Sequence, residues 1–176
     1  MIVLIRHLLA IAALPFVVAV LIPISVARRN NVSLTLSTTA PDMAAQVVGL
    51  VLLSIGLALF VSSLRRFASD GKGTLAPWDP PRQLVVSGPY RYVRNPMISG
   101  VLFVLFGEAL ILVSGSHLVW AFTFFVVNGV YIPLLEEAQL QRRFGASYAE
   151  YCRHVPRLVP RLRPWTPAPP EGNRAV

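Results

Sequence analysis

Long apolar stretches constrain this chain more than any other feature of its sequence. Three or four of them, at residues 8–26, 44–64, 95–114 and 118–135, contain almost no charged side chains. An α-helix needs about 20 apolar residues to cross a hydrocarbon core of about 30 Å. Hydrophobic residues make up 55% of the chain and charged residues only 14%, which is too apolar for a soluble domain. The sequence therefore predicts an all-α integral membrane bundle with about four transmembrane helices.

Proline, glycine and small polar residues mark the ends of these helices. Asn95-Pro96 suits the N-cap and first turn of the third helix. The residues at 114–117 predict a tight turn, after which the fourth helix should continue beyond the membrane to Phe144. Gly145 is typical of a helix C-terminus, and Pro156 should end a further short helix. The C-terminal segment is therefore expected to be helical as well.

Positive charges indicate an orientation. Of the 16 Lys and Arg residues, 14 lie at the two predicted termini or between the second and third helices, whereas only Arg28 and Arg29 lie on the opposite side. The positive-inside rule then places both termini in the cytoplasm, in a plasma (inner) membrane. Locally Arg28 and Arg29 outnumber Arg6, and Ser25-Val26-Ala27 resembles a cleavage site, so a cleaved signal remains the alternative for the first segment.

Composition also bears on partners. The formal charge of +8 comes from arginines between the apolar stretches, which we interpret as topology signals and contacts to anionic lipid head groups rather than to nucleic acid. The arginines at 153, 157, 161 and 163 are the main candidates for such lipid contacts. Cys152 is the single cysteine, so an internal disulfide is impossible and no metal site is predicted. Nothing in the sequence indicates an oligomeric state.

Three polar clusters should meet at the cytoplasmic end of the third and fourth helices. They are residues 88–97, Glu136-Glu137 and residues 148–161. Adjacent carboxylates at a helix end need nearby cations. S-adenosylmethionine would supply an ammonium and a sulfonium for them, a carboxylate for an arginine or a helix N-terminus, and an adenine for tyrosines. An interfacial belt of Arg and Tyr beside solvated glutamates accounts for the same residues equally well.

A set of short motifs resembles the isoprenylcysteine carboxyl methyltransferase and phospholipid methyltransferase superfamily. The motifs are GPYRYVRNPM at 88–97 with Gly100, then Glu136-Glu137, then FGxxYxxY at 144–151, then VPR at 155–157. The likeness covers roughly residues 71–165. With the apolar stretches, it divides the chain into transmembrane helices 1 and 2 over 1–66 and a methyltransferase-like region over 67–163. The proline-rich residues 164–176 are expected to form a disordered tail. Several agreeing motifs are more specific than any single one.

The resemblance also implies an activity. It points to methyl transfer from S-adenosylmethionine, with S-adenosylhomocysteine as product, to a membrane lipid or lipid-linked acceptor at the cytoplasmic interface. The acceptor group would be an isoprenylcysteine-type carboxylate or a phospholipid amine. Two other classes stay open: an NADPH-dependent membrane reductase resembling the steroid and sterol reductases, and a non-catalytic membrane lipid-binding protein.

Individual residues acquire roles from the same resemblance. One of Glu136 and Glu137 would hold the methionine ammonium, while Arg94 would face the carboxylate end. The complete implied cofactor set is Tyr90, Arg94, Asn95, Pro96, Gly100, Glu136, Glu137, Tyr148 and Tyr151. Many relatives have His at the position of Asn95 and Tyr at that of Ile98. Because an amide cannot shuttle protons at neutral pH, we expect positioning, with Arg94, Asn95 and Glu108 as candidates, to outweigh acid–base chemistry.

Glu108 is the residue within the third apolar stretch that packing explains least. A carboxylate inside a membrane is costly and normally faces the bundle interior or a cavity. We expect Glu108 to face that interior and to share a polar pocket with Asn128, either as a structural acid or as a substrate-positioning group. Gly100, Gly107 and Ser114 recur every seven residues, which predicts a helix-packing face.

Overall fold

The computed structural model describes residues 14–70 and 84–166, with the side chains of 67–70 excepted. Helix α1 combines a π-helical turn over Val17–Leu21 with an α-helix over Ile22–Arg29, α2 covers Ala40–Asp70, α3 covers Pro96–Ile111 and α4 covers Gly115–Tyr131. A π-helical turn over Ile132–Glu136 joins α4 to α5 over Glu137–His154, and a 3-10 turn covers Gly88–Arg91. No strand occurs within these ranges, so the all-α prediction is confirmed for them.

Two of the helices are long and apolar enough to cross a membrane. They are Ala40–Arg66, within α2, and the continuous helix Gly115–His154, which includes α4 and α5. Helix α3 has 16 residues and extends only about 24 Å, less than a hydrocarbon core of about 30 Å. The beginning of the first predicted span lies outside the described residues. Two candidate membrane-spanning helices are therefore present among the described residues, while the four-span topology stays a prediction.

Helix α1 is fastened to α4 through two of its backbone carbonyls, one of which proline leaves without a helical partner. Within the π-helical turn the N–H of Ile22 donates to the carbonyl of Val17, five residues earlier. Pro23 has no N–H to continue this pattern, and the indole Nε1 of Trp120 donates to the carbonyl of Val18 at 3.1 Å instead. The buried His117 ring likewise bonds through Nε2 to the carbonyl of Pro23 at 3.1 Å.

Glycines allow α2 and α3 to pack with their backbones in contact. A Cβ added to Gly56 would lie 2.7 Å from the carbonyl oxygen of Gly100, and one added to Gly49 would lie 2.8 Å from that of Gly107. These pairings run in opposite directions along the two helices, so α2 and α3 are antiparallel. The predicted packing role of Gly100 and Gly107 is confirmed. Their partners, also seven residues apart on α2, were not predicted.

The turn between α3 and α4 is formed as predicted, but Ser114 has a different role from the one assigned to it. Its hydroxyl accepts a hydrogen bond from the backbone N–H of His117 at the start of α4, so it caps a helix rather than extending the packing face. At the start of α3 a predicted cap is missing. Asn95 is the residue before Pro96, yet its side chain makes no capping hydrogen bond.

A second proline shapes the helix that leads to the paired glutamates. Pro133 lies in the π-helical turn over Ile132–Glu136, which ends with the N–H of Glu137 donating to the carbonyl of Ile132. Because a π-turn contains one residue more than an α-turn, it changes the direction in which the following side chains project. Farther along, Gly145 interrupts helical geometry with a φ of 52°, and the helix ends at His154, before Pro156, as predicted.

After α5 the chain folds back along the segment that precedes α3. We call residues 155–166 the C-terminal strap. The N–H of Arg94 donates to Pro156 at 2.8 Å and that of Asn95 to Arg157 at 3.2 Å, while the strap donates from Arg161 to Tyr92 at 3.0 Å. Trp165 was predicted to lie in a disordered tail, but its N–H donates to the carbonyl of Arg91 at 2.9 Å. The rest of that tail, 167–176, lies outside the described residues.

Candidate functional site

The predicted polar clusters meet where α3 begins and α4 gives way to α5. We call this region the polar end. The 3-10 turn over Gly88–Arg91, the strap and the first turn of α5 surround it. The tight turn between α3 and α4 aligns these elements, because antiparallel neighbours that share a short turn also bring their far ends together. The connector residues 71–83, which precede this region, lie outside the described part of the chain.

Glu137 is held by two arginines. Its Oε1 lies 2.8 Å from Nη1 of Arg94, and Arg157 donates to both carboxylate oxygens, from Nε at 2.7 Å and from Nη2 at 2.8 Å. Burial alone would raise the pKa of the Glu137 carboxyl, but the Arg157 hydrogen bonds and the charges of both arginines lower it. Glu137 is therefore an ionised carboxylate whose charge is already neutralised. Arg157, which the sequence analysis assigned to lipid contacts, is a residue of this site instead.

Glu136 is in the opposite situation. It is partly buried, and within residues 14–70 and 84–166 no hydrogen bond or ion pair reaches its carboxylate. Burial, and then the charge of Glu137, raise the pKa of the Glu136 carboxyl. Burial and the charge of Glu136 also raise the pKa of the Tyr90 hydroxyl. The two glutamates are thus distinct: Glu137 fastens the strap, whereas Glu136 presents an uncompensated acid near Tyr90.

Arg94 connects the two halves of the polar end. Besides Glu137, its Nη1 contacts the sulfur of Cys152 on α5 at 2.8 Å. Its Nε is buried and has no hydrogen-bond partner among the described residues. A buried unpaired donor on a charged group costs free energy, so this N–H is available to an acceptor. Cys152, the single cysteine, thus helps to orient Arg94.

The three predicted tyrosines are brought into one region, but two of them lie in its core. Tyr148 and Tyr151 are 3% and 2% exposed and pack with Val155. The hydroxyl of Tyr151 donates to the carbonyl of Tyr90 at 2.6 Å, and its ring packs against that of Trp165. These contacts give Tyr148 and Tyr151 a structural role in supporting the strap. Stacking of either ring on adenine stays a prediction.

Of the remaining predicted site residues, Asn95 has a side chain without a hydrogen bond in the described ranges, so its amide is available to a ligand. Pro96 is buried and begins α3. Gly100 lies against Gly56, on the face of α3 that packs on α2. This close contact accounts for the glycine by packing. A cofactor contact at Gly100 stays a prediction.

Glu108 is half-buried and lies twelve positions after Pro96, so it is separated from the polar end by about 18 Å of helix. Its Oε2 is shielded from solvent and has no partner among the described residues. No direct hydrogen bond joins Glu108 to Asn128 in the described ranges, and the Asn128 amide donates to the carbonyl of Phe124 at 2.8 Å. A pocket shared by the two residues through water stays a prediction.

The site chemistry follows from these contacts. The described residues bring together no group of three His, Cys, Asp or Glu side chains that could hold a metal ion. They offer an unpaired carboxylate, a guanidinium N–H and an amide, which suit an organic molecule carrying both a cationic and an anionic group. S-adenosylmethionine has both groups, and the residues present fit it.

Comparison with known proteins finds matches that include part of this region. Residues 44–147 match the family described as phospholipid methyltransferase. Methanethiol S-methyltransferase 2 of Bradyrhizobium diazoefficiens is 38% identical over 76 residues, which are 42% of this chain and 27% of that protein. The chain therefore spans about a quarter of the length of this curated relative. No solved structure matches the chain. Since the family match covers more than half of the sequence and includes α2, α3, α4 and both glutamates, this chain belongs to the phospholipid methyltransferase family.

Proposed function

We propose that this protein is an S-adenosylmethionine-dependent membrane methyltransferase whose cofactor binds at the polar end. The observation that carries the proposal is the difference between the paired glutamates. Glu137 is neutralised by two arginines, whereas Glu136 has no cation among the described residues. A partly buried carboxylate without a counter-charge is unfavourable, and a ligand ammonium would relieve that cost.

The other end of the cofactor has matching groups. Arg94 keeps its Nε free of protein partners in the described ranges, and the Asn95 amide is equally unused. The methionine carboxylate would accept from these donors, while Glu136 would hold the ammonium. Arg94 is held in place by its contact with Cys152 and by Glu137, which Arg157 also binds. In this assignment the cofactor is bound by residues of two segments, the π-helical turn before α5 and the segment before α3, and the strap holds these segments together.

When bound, S-adenosylmethionine supplies an electrophilic methyl group on a sulfonium. The protein then has to align the acceptor with that group and exclude water. Tyr90, Tyr148 and Tyr151 form a water-poor wall at the polar end, because two of the three are almost completely buried. A carboxylate or thiolate acceptor needs no further base, whereas an amine must lose a proton before transfer.

We further propose that the acceptor is a membrane lipid or a lipid-linked molecule that enters laterally from the bilayer. Large apolar side chains cover the outer faces of α2 and α4, including Leu50, Leu57, Phe122 and Val126, so a lipid would approach without crossing a polar surface. A small thiol is the second candidate, because the relative from Bradyrhizobium diazoefficiens is named for methanethiol. A family match does not by itself identify an acceptor.

Transfer of a radioactive methyl group tests the activity. The purified chain in nanodiscs should label either an extractable lipid or methanethiol when given S-adenosylmethionine. Labelled lipid with no labelled thiol supports the first acceptor class, and the reverse result supports the second. Failure to label either, with NADPH rather than S-adenosylhomocysteine raising the melting temperature, would favour the reductase alternative.

We also propose that the polar end faces the cytoplasm, since 14 of 16 Lys and Arg residues were assigned to that side. Single cysteines test this orientation in a Cys152→Ser background. Gly115 and Ala146 lie at opposite ends of the α4–α5 helix, and both are suited to labelling because Gly115 has open space around it and Ala146 is exposed. An impermeant reagent added outside cells should label Gly115→Cys but not Ala146→Cys. The opposite pattern would invert the assignment.

A further inference from the structure

The strap has two very different faces. Its inner face is tied to the polar end by backbone hydrogen bonds from Arg94, Asn95, Arg161 and Trp165. Its outer face carries two large apolar side chains that no other residue of ranges 14–70 and 84–166 covers, since Val159 is 73% exposed and Leu162 is 98% exposed. Because the segment that carries them is fixed by hydrogen bonds, these side chains are presented for a further contact.

The depth of the strap indicates what that contact is. The hydroxyl of Ser99, in the first turn of α3, donates to the carbonyl of Leu158 at 2.6 Å. The strap therefore crosses the bundle at the level where α3 begins, which is the boundary between the apolar helices and the polar end. A segment at this level lies among lipid head groups, where apolar side chains reach the first part of the acyl chains.

Charge specifies the lipid. Two of the four arginines expected to meet anionic lipids are used inside the protein: Arg157 binds Glu137, and Arg161 donates to the carbonyl of His154. Arg153 and Arg163 are exposed and make no hydrogen bond or ion pair within the described ranges. Arg163 directly follows Leu162, so an apolar anchor and an unpaired cation are adjacent on the same exposed segment.

We propose that Val159, Leu162 and Arg163 form an interfacial anchor that inserts into the anionic head-group layer of the membrane that the helices occupy. Apolar insertion and attraction to anionic lipids add to each other in such anchors. Because the same strap binds Glu137 and the segment before α3, the anchor fixes the polar end at the membrane surface. The inference uses only the strap and its depth, so it does not depend on the methyltransferase assignment.

Fluorescence quenching by brominated lipids tests the anchor in the full chain. Leu162→Trp introduces a reporter at the most exposed strap residue, and Glu150→Trp is the matched control at an exposed position of α5. Each variant is placed, one copy per nanodisc, in brominated phosphatidylcholine alone or mixed with brominated phosphatidylglycerol. The fluorescence of the parent, which has three tryptophans of its own, is subtracted.

The added fluorescence of Leu162→Trp should be quenched, and more strongly with phosphatidylglycerol, while that of Glu150→Trp should be nearly unaffected. Adding Arg163→Gln should weaken the preference for anionic lipid about fivefold. Inorganic phosphate at equal ionic strength should not reproduce the effect of phosphatidylglycerol. Equal quenching at the two positions would overturn the anchor. Independence from anionic lipid, or an equivalent effect of phosphate, would overturn its lipid specificity.

Discussion

Gly56 and Gly100 bring α2 and α3 into backbone contact, whereas at the polar end Glu136, Arg94 and Asn95 keep groups without a partner in the described ranges. In the first region the glycines lack side chains, which lets the two helix backbones pack closely, and these residues serve packing. In the second region buried charges are retained although they cost stability, as is usual for sites that bind polar ligands. The difference separates residues that hold this protein together from residues that are free to hold a ligand.

The largest loss of stability is expected at the contact between Gly56 and Gly100, which leaves no space for a side chain. Gly100→Leu would force a side chain into the carbonyl of Gly56, since even its Cβ would lie 2.9 Å from that oxygen. We expect a loss of about 3 kcal/mol or more in the free energy of unfolding. Gly129→Leu is the matched control, because nothing lies within 4 Å of a Cβ added there. Unfolding followed by circular dichroism in detergent measures both, and equal stability of the two variants would contradict the close contact.

A smaller and more local effect should follow from Glu137→Gln. This change removes a charged partner from Arg94 and Arg157, and hydrogen bonds to charged groups contribute about 1.5 to 3 kcal/mol. The strap should loosen while α2 and α3 stay packed. Hydrogen exchange at the Arg161 and Trp165 amides, which bond to Tyr92 and Arg91, should accelerate about tenfold or more. Glu150→Gln should leave both rates unchanged, and unchanged rates in Glu137→Gln would remove its fastening role.

The smallest effect is expected at Glu108, and its sign is informative. Since Oε2 is shielded and has no partner in the described residues, Glu108→Leu should raise the free energy of unfolding by about 1 kcal/mol. If the acid positions substrate, the same variant should lose methyl transfer while Glu108→Gln keeps part of it. A destabilised Leu variant would reveal a partner that the structure does not show. A stable, fully active one would make Glu108 dispensable.

Much of the helical architecture was predictable because apolar length and proline position act locally. The approximate positions of α2 and α4, the turn at Ser114 and the interruption at Gly145 all follow from such signals. The shortness of α3 was not predicted, since its apolar stretch includes residues that form the turn. The π-helical turn at Pro133 was also missed, because a proline inside a helix permits either a break or a wider turn.

The residues of the candidate site were predictable from the sequence, but the different roles of Glu136 and Glu137 were not. Sequence placed Glu136 and Glu137 together near Arg94, and the structure agrees. It had no means of telling which glutamate is neutralised, because Arg157 reaches Glu137 only after the strap folds back along residues 91–95. That pairing uses backbone hydrogen bonds, which leave no side-chain pattern in the sequence. The same limit hid the structural burial of Tyr148 and Tyr151.

Calorimetric titration with S-adenosylhomocysteine tests the central claim most directly, using the parent, Glu136→Gln and the control Glu150→Gln in the same lipid. A charge-assisted contact contributes about 1.5 to 3 kcal/mol, so Glu136→Gln should weaken binding by about 10- to 150-fold. Glu150→Gln should bind like the parent. Parental affinity in Glu136→Gln would contradict the assignment of the cofactor's cationic end to Glu136, and a parent that does not bind S-adenosylhomocysteine would contradict the proposed methyl transfer itself.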